Sequence, residues 1–291
     1  MHLLKRDEID VKLWDSVIAR CPSGLPYGFS QILDVCTDKQ WMGIVSEDYQ
    51  WVMPLPYNRK LLGFRQFYQP YLLQQLGIFG RIPDAIEVEE VFRIIKKNSI
   101  RGIFAFQENN SSFVAPYSLS KTNIILDVDR SYQEIQQGYH KALRRRLNKE
   151  YDDQWLQSDD LILEEILDLY MEHTYKLYGA NEKMSQQYIR AFVQACYDMG
   201  LIKLMALKAS DSVIYSGYIN IVTKSRVIKA LSFNNTLYKH YSGPTRLIDN
   251  TIQKYAGKPF IIDFAGSEIK SVAEFYKPFN PTVRPYFIVK T

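Results

Sequence analysis

Three segments between residues 201 and 234 predict consecutive β-strands, and they constrain the fold more than any other part of the chain. The segments are rich in β-branched and aliphatic residues, and polar turns at 209–211 and 223–225 separate them. Connections this short join antiparallel neighbours, because a parallel crossover needs a dozen or more residues. The predicted strands lie at 201–208, 213–222 and 226–234. This part of the chain therefore predicts an antiparallel sheet.

A helix, a buried strand, a second helix and a final strand are predicted after this sheet. Pro244 stands at the first position of the first helix and Gly257 follows its end, which is the usual asymmetry of helix termini. The predicted elements are a helix at 244–255, a strand at 260–264, a short helix at 271–277 and a strand at 286–289.

Elements of both kinds also precede the predicted sheet. Helices are predicted at 9–20, 84–97, 132–149, 161–177 and 186–199, and strands at 42–45, 50–55, 100–106, 122–128 and 154–157. Each half of the chain therefore contains strands, then a helix, then a buried strand. We predict an α/β (α+β) fold of two related units, residues 1–129 and 130–291, each a mixed, mostly antiparallel sheet flanked by helices.

The composition is typical of a globular protein and disfavours several classes. Hydrophobic residues make up 46% of the chain and charged residues 23%, and the net charge is +4. That charge is too small to indicate a DNA-binding or membrane-surface protein. The start of the chain lacks the apolar region of a signal peptide, and no apolar run reaches the roughly 18 residues of a membrane span. We therefore expect a cytoplasmic protein without a transmembrane segment.

The cysteines and histidines give no sign of a metal site. The three cysteines and four histidines are widely spaced, in no pattern typical of metal ligands. The chain also lacks a G-x-S-x-G turn and a complete phosphate-binding P-loop, which argues against serine hydrolase and P-loop chemistry. We expect no metal.

The turn before Pro244 is a candidate anion site. The first amide groups of a helix have no acceptor within the helix, and the helix dipole adds partial positive charge there. Gly243 lacks a side chain that would block a phosphate, Ser242 and Tyr241 precede it, and Arg246 can add charge. An ordinary capped helix start is the alternative.

Three residues near the end of the chain could transfer protons. Tyr276 lies in the short helix at 271–277 and could donate a proton to a leaving group. Asp263 and Glu268 flank the end of the strand at 260–264, where either could accept a proton, directly or through water. Simple packing of Tyr276 on the sheet, and a solvated loop position for Glu268, are the alternatives.

Two further segments could bind an acceptor. Lys141 and Arg145 share one face of the predicted helix at 132–149 and could hold phosphates, although a solvated face is equally consistent with the pattern. Residues 64–79 are rich in aromatic and amide side chains. In that segment Gln69, Tyr71, Gln74 and Gln75 could line a polar groove, or they could belong to a packed hairpin.

Four of these segments, in their order along the chain, resemble the Fem-type tandem members of the GNAT superfamily of N-acyltransferases. That group includes the peptidoglycan bridge ligases and their bacterial acyltransferase relatives. The similar segments are an aromatic segment at 67–79, a basic helix at 139–149, a strand ending in Asp-Phe-Ala-Gly-Ser at 262–267 and a helix at 273–279.

The resemblance implies an N-acyltransferase that moves an acyl group from acyl-CoA to an amine acceptor held in a cleft between the halves. Tyr276 matches the tyrosine that often serves as the general acid in GNAT enzymes. Phe233, Asn234 and Asn235 match the strand that pairs with the donor's pantetheine amides. Ser242 and Gly243 match only the tail of the phosphate-binding loop, because tyrosines stand at earlier positions of its signature.

That departure leaves two alternatives open. The first is an enzyme that transfers the aminoacyl group of aminoacyl-tRNA to a cell-wall precursor, although the coiled-coil arm of many such ligases is missing from this sequence. The second is a GNAT-fold binding protein without activity. The expected partner is a small-molecule or cell-envelope amine acceptor, with tRNA as the less favoured partner and DNA not expected.

Overall fold

The computed structural model describes residues 1–59, 65–114, 118–176, 184–266 and 268–291. The strands are β1 (His2–Lys5), β2 (Trp41–Val45), β3 (Trp51–Arg59), β4 (Arg65–Phe67), β5 (Phe79–Gly80), β6 (Ile103–Phe106), β7 (Ser118–Lys121), β8 (Ile124–Asp127), β9 (Asp153–Gln157), β10 (Ile202–Ala209), β11 (Ile214–Val222), β12 (Arg226–Asn234), β13 (Ile261–Asp263), β14 (Thr282–Val283) and β15 (Tyr286–Lys290). The α-helices are α1 (Val11–Arg20), α2 (Ser30–Thr37), α3 (Ala85–Asn98), α4 (Ser111–Val114), α5 (Tyr132–Gln137), α6 (Lys141–Leu147), α7 (Leu163–Tyr170), α8 (Gln186–Asp198), α9 (Gly243–Tyr255) and α10 (Lys270–Tyr276).

The chain divides into two compact units. Unit 1 comprises Met1–Thr122 and Arg284–Thr291, and unit 2 comprises Asn123–Val283. Both units contain antiparallel-rich sheets flanked by helices, which confirms the predicted α+β fold class. These units differ from the predicted halves in two strands. Strand β8 belongs to the predicted first half but pairs within unit 2, and β15 belongs to the predicted second half but pairs within unit 1. The residue pattern predicts that a segment is a strand, but it does not name the strand's partners.

Unit 1 is built on two sheets. The larger one has the order β1-β2-β3-β4, with β5 also paired to β3, and the smaller one has the order β6-β15-β7. Three tryptophans, Trp14, Trp41 and Trp51, are almost completely buried at its centre. The Trp14 indole N–H donates a 2.8 Å hydrogen bond to the Gly28 carbonyl, so this large ring is buried with its polar group paired.

Helix α3 begins with a charged cluster on unit 1. Asp84 and Glu87 form a capping box, in which each side chain accepts a hydrogen bond from the other residue's backbone N–H at 2.9 Å. Glu87 also accepts hydrogen bonds from Arg81 at 2.6 Å and from the Trp51 indole at 3.1 Å. The Arg81 hydrogen bond above all lowers the pKa of Glu87 to about 2.

Unit 2 is built on one sheet with the order β14-β8-β13-β12-β11-β10-β9. The pairings of β10 with β11 and of β11 with β12 are antiparallel, which confirms the strands predicted at 201–234. Helix α9 packs on this sheet through Leu247, Ile248 and Ile252, none of which is exposed to solvent. The apolar positions at i, i+1 and i+5 form one helix face, and their burial fixes α9 against the sheet.

The single helix predicted at 132–149 is wrong. Helix α5 ends at Gln137, and α6 begins at Lys141. Between them, the His140 N–H donates to the Pro278 carbonyl at 2.9 Å, and Tyr139 is buried with its ring 5.3 Å from that of Phe279. This tertiary packing interrupts the helix, so Lys149 lies beyond the end of α6.

Strand β12 meets β13 in the parallel pairing of unit 2, and a buried ion pair joins the two strands. The register pairs Arg226 with Ile261, Val227 with Ile262 and Ile228 with Asp263. The Arg226 guanidinium donates to the Asp263 carboxylate at 2.6 Å, and both side chains are fully buried. Burying two charges is tolerated only when they are paired and hydrogen-bonded.

We predict that Glu87→Gln reduces the acid sensitivity of unit 1. Because the pKa of Glu87 falls from 4.5 to about 2 on folding, its carboxylate stabilises the fold above pH 4.5, and this contribution is lost as the pH falls towards 2. Unfolding followed by tryptophan fluorescence between pH 6 and pH 2.5 should show a shallower loss of stability in Glu87→Gln. Glu89→Gln, at an exposed position of the same helix, is the control, and equal slopes in the two variants would contradict the prediction.

We predict that Arg226→Met destabilises unit 2 by about 3–5 kcal/mol, because it leaves the Asp263 carboxylate buried without its counter-charge. The double variant Arg226→Met/Asp263→Asn should recover most of that loss, since neither charge remains. Urea unfolding followed by circular dichroism measures both effects.

Arg190→Met is the matched control for this substitution. Arg190 forms ion pairs with Glu164 and Asp168, but the side chains of these two carboxylates are 62% and 70% exposed. Exposed ion pairs contribute about 1 kcal/mol or less, so Arg190→Met should have a small effect. A similar loss in the two arginine variants would refute the structural importance of the buried pair.

Candidate active site

Strand β12 separates from β13 within the sheet of unit 2. The two strands pair up to Ile228 and Asp263, but β12 continues to Asn234. Among the residues that the structure describes, no strand pairs with the outer side of β12 at 229–234. We call this gap the wedge. An unpaired strand edge offers backbone N–H and C=O groups to an extended ligand.

A β-bulge lies at the start of the wedge. Ile219 pairs with Leu231, but the next residue, Asn220, pairs with Lys229, so Ala230 has no opposite residue on β11. A bulged residue is left out of the ladder, and its backbone groups are re-aimed. Bulges are common beside active sites for this reason.

One side of β12 is covered by an unusual turn of helix. Residues Met171–Tyr175 continue α7 as a π-helix. In that turn the Thr174 hydroxyl donates a 2.8 Å hydrogen bond to the Ser232 carbonyl, and the His173 ring stacks on Phe233 with centroids 6.2 Å apart. Single π-helical turns occur frequently at functional sites.

The predicted proton acceptor Asp263 is already bound on both carboxylate oxygens. One oxygen accepts from Arg226 and, at 3.2 Å, from the Asn123 amide, and the other accepts from the Ala265 N–H at 3.0 Å. This arrangement favours a structural role for Asp263. Glu268, the other predicted acceptor, is exposed in the loop before α10. Ser267, the last residue of the motif at 262–267, lies outside the described residues.

Tyr276, the predicted proton donor, is buried near the base of the wedge. It is 7% exposed and stacks on Phe264, which follows β13, with centroids 4.4 Å apart. Burial, together with the negative charge of Asp263, raises the pKa of Tyr276 above its usual range. The phenol therefore stays protonated at neutral pH, as a proton donor must.

Tyr218 lies between Tyr276 and the start of α9. Burial raises the pKa of Tyr218 well above its ordinary value, and the nearby Tyr276 adds to this shift. The Tyr218 hydroxyl donates a 3.3 Å hydrogen bond to the Pro244 carbonyl. Tyr218 thus links Tyr276 to the start of α9 within unit 2.

The corner before Pro244 differs from an open phosphate site. Ser242 adopts a left-handed conformation with φ of 55°, and Gly243 is buried. A Cβ at Gly243 would lie 2.5 Å from the Ser216 Cβ and 2.8 Å from the Tyr215 ring. Gly243 is thus required for close packing of α9 on β11. Tyr241 adds to this packing, with its ring 5.1 Å from that of Tyr215.

Arg246 is bound to other side chains of unit 2. Its guanidinium forms a bidentate ion pair with Asp153 and donates to the Tyr215 hydroxyl at 3.1 Å. The guanidinium also lies over the rings of Tyr151 and Trp155, 4.6 and 5.2 Å from their centroids. Because the Asp153 carboxylate already neutralises it, Arg246 adds little attraction for a phosphate.

The end of β12 holds the remaining predicted donor-binding residues. The Asn235 N–H donates to the Tyr215 carbonyl at 2.7 Å, and the Asn235 side chain accepts from the Leu237 N–H. Asn234 pairs with Ser216 on β11, and its side-chain Oδ1 has no hydrogen-bond partner among the described residues. Of Phe233, Asn234 and Asn235, Asn234 therefore carries a buried side-chain oxygen without a partner among the described residues.

The predicted acceptor residues are distributed over both units. In unit 1, the Gln69 amide donates to the Leu73 carbonyl and accepts from the Ala105 N–H, which favours a structural role. Tyr71 is 40% exposed, and Gln74 is partly buried. In unit 2, Lys141 and Arg145 are both exposed on α6.

The sequence analysis missed Lys229 and Tyr218, which lie at the bulge and beside it. Lys229 is 5% exposed and its amine lies over the Tyr218 ring. A signal was available, since a lysine between Ile228 and Ala230 interrupts an apolar strand. Its burial depends on tertiary packing, which the local sequence pattern does not specify.

Within the described ranges, no helix is both long and apolar enough to cross a membrane. In the same part of the chain, no group of three or more His, Cys, Asp or Glu side chains could hold a metal ion.

Comparisons with known proteins identify the fold. No family model matches the sequence, and no curated protein matches it either. The solved structure of FemX is similar over 99% of this chain and 97% of FemX, with a TM-score of 0.73 and 11% identity.

Two further structures are similar over most of their length. A conserved protein of unknown function from Bacteroides thetaiotaomicron has a TM-score of 0.63 and 10% identity, over 96% of this chain and 97% of that one. The C-terminal domain of a protein described as a putative lysylphosphatidylglycerol synthetase from Agrobacterium fabrum has a TM-score of 0.57 and 11% identity, over 96% and 90%. These likenesses show that the chain has a Fem-like, GNAT-type fold.

Proposed function

We propose that this protein is an acyltransferase that moves an activated acyl group onto an amine acceptor at the wedge of unit 2. The observation that carries the proposal is the separation of β12 from β13 beside a bulge and a protonated Tyr276. The fold likeness to FemX over nearly the whole chain supports it.

In this proposal the donor lies along the free edge of β12. Backbone groups at 229–234, apart from the Ser232 carbonyl that Thr174 already binds, pair with amides of the donor, in the manner of an added strand. A backbone N–H freed by the bulge at Ala230 stabilises the oxyanion that forms when the acceptor attacks the acyl carbonyl. Preorganised backbone donors suit this task because they need no reorganisation during the reaction.

Tyr276 supplies the proton that the leaving group needs. Its raised pKa keeps the phenol protonated at neutral pH, and the developing thiolate or alkoxide of the donor takes this proton. Acceptor and donor react directly in this scheme, so most of the rate acceleration comes from holding both reactants in position.

Acyl-CoA is the first donor class to test, and an aminoacyl ester of tRNA is the second. The packing of Gly243 on Ser216 and the ion pair of Arg246 with Asp153 leave little room or charge for the diphosphate of CoA at the α9 start. These two contacts favour an aminoacyl ester of tRNA as the donor, whereas the sequence favours acyl-CoA.

Helix α6 and the residues after it provide a surface for a phosphate backbone. Five basic residues of this segment are exposed, and none forms an ion pair with another described residue. They are Lys141, Arg144, Arg145, Arg146 and Lys149. Both donor classes are made in the cytoplasm, where we place the reaction, with a small-molecule or cell-envelope amine as acceptor.

We predict that Tyr276→Phe lowers kcat by about 10²–10⁴-fold while the melting temperature changes little, because only the hydroxyl that serves as the proton donor is removed. The assay follows transfer from acetyl-CoA, longer acyl-CoAs and aminoacyl-tRNA to amine acceptors by mass spectrometry. Tyr255→Phe, at a half-buried tyrosine that packs on Phe260, is the matched control. Full turnover by Tyr276→Phe would remove this residue from the mechanism.

We predict that the triple variant Lys141→Gln/Arg144→Gln/Arg145→Gln binds tRNA more weakly, because it neutralises fewer phosphates and so releases fewer counterions. The slope of log K against log salt should become shallower by about 0.7–0.9 for each phosphate that is no longer neutralised. Titration calorimetry at several salt concentrations measures the slope.

The control triple variant, Lys12→Gln/Lys96→Gln/Lys97→Gln, makes the same change in net charge at surface positions of unit 1. Equal slopes in the two triple variants would assign tRNA binding to net charge alone. Saturable binding of acyl-CoA without binding of tRNA would favour the first donor class, and failure to bind either would favour a binding protein without activity.

A further inference from the structure

The side chain of Lys229 is a buried amine without a hydrogen-bond partner. It is 5% exposed, and among the described residues it is the one lysine that is buried. Its Nζ donates no hydrogen bond to any residue that the structure describes. A buried polar group left unpaired is costly to the fold, so its presence calls for a reason other than stability.

Lys229 occupies the point where the wedge opens. It follows Ile228, the last residue of β12 that pairs with β13, and precedes the bulged Ala230. Its Nζ lies over the Tyr218 ring, 2.8 Å from the centroid. Tyr218 in turn packs in the same buried cluster as Tyr276, which contributes to the raised pKa of Tyr218. The amine and the proposed proton donor therefore belong to one cluster.

The groups that face Lys229 do not hold it in its charged form. From β11 it faces Tyr218, a neutral phenol at neutral pH, and Tyr276 of α10 lies close to Tyr218 in turn. On β12 and β13, Arg226 and Asp263 neutralise each other. The buried residues of α9 carry no titratable groups; they are Gly243, Thr245, Leu247, Ile248, Thr251 and Ile252.

Desolvation therefore lowers the pKa of Lys229 well below its ordinary value of 10.5. The aromatic face of Tyr218 favours a cation, but the lost hydration of a fully buried amine outweighs that attraction. A buried lysine of this kind is suited to act as a base.

We propose that Lys229 is the catalytic base that takes the proton of the acceptor amine in the transfer reaction. This inference depends on the proposed function. Asp263 cannot fill the role while both of its oxygens are bound, and Glu268 lies exposed in the loop before α10.

The step balances without a further reactant. The lone pair of the acceptor nitrogen forms a bond to the acyl carbonyl carbon, and the bond from that carbon to the sulfur or oxygen of the donor breaks. Lys229 Nζ takes the proton released from the acceptor nitrogen, and Tyr276 gives its proton to the departing sulfur or oxygen. Proton transfer from the Lys229 ammonium to the Tyr276 phenolate then restores both groups.

Lys229→Met tests the role, because methionine is similar in volume and carries no base. We expect kcat/KM to fall by about 10²–10⁴-fold. In the wild-type protein kcat/KM should decline at low pH as Lys229 becomes protonated, and Lys229→Met should lack this acid limb. Lys203→Met, at an exposed position of β10 in the same sheet, is the matched control and should keep wild-type kinetics.

The pH dependence of the melting temperature reports the protonation state of Lys229 and needs no enzyme assay. If the amine is neutral in the fold, the unfolded chain binds one more proton than the folded one between the folded pKa and about 10.5. The melting temperature of Lys229→Met should then exceed that of the wild type at pH 7, and the difference should shrink as the pH rises to 10. Lys203→Met should show no such trend.

The outcomes separate this inference from the proposed function. Wild-type kinetics in Lys229→Met would refute the role of Lys229 as the base and would leave the proposed acyl transfer intact. A melting-temperature difference that stays constant from pH 7 to 10 would also overturn it, since the amine would then be charged in the fold. Absence of transfer by the wild type with every donor would overturn both proposals.

Discussion

The buried pair of Arg226 and Asp263 is the interaction on which the geometry of unit 2 depends. It lies where β12 and β13 run parallel, and it keeps the two strands together over a short stretch of an otherwise antiparallel sheet. Because the pairing ends at Ile228, the strands can separate while the sheet remains one body. The free edge, the bulge and the buried amine all follow directly after this junction.

The bulge at Ala230 and the start of α9 differ in character. Around Lys229 the side chains are buried, and polar atoms lack partners among the described residues, which is the condition of a site prepared for a reacting group. At the start of α9 the polar and charged groups have partners instead, because Gly243 is packed tightly and Arg246 is paired with Asp153. This asymmetry supports chemistry at the bulge, and it favours a donor whose phosphates are held elsewhere.

The sequence predicted the order of strands and helices in unit 2 well, because alternating apolar residues and short turns are local signals. The strands at 201–234 and the Pro244 helix are examples. The break between α5 and α6 was not predictable, since it depends on the contact of His140 with Pro278, far along the chain. For the candidate site, Tyr276 lies in the predicted short helix, and its role as a proton donor stays a prediction. The bonding of Asp263 and Arg246 could not be read from residue type, because it depends on which strands become neighbours.

Strand β15 illustrates how chain order and spatial order diverge. It is the middle strand of the smaller sheet of unit 1, between β6 and β7, yet it follows all of unit 2 in the sequence. During synthesis on the ribosome, every residue of unit 2 is therefore made before unit 1 can complete that sheet. Until β15 is made, β6 and β7 therefore lack the strand that lies between them.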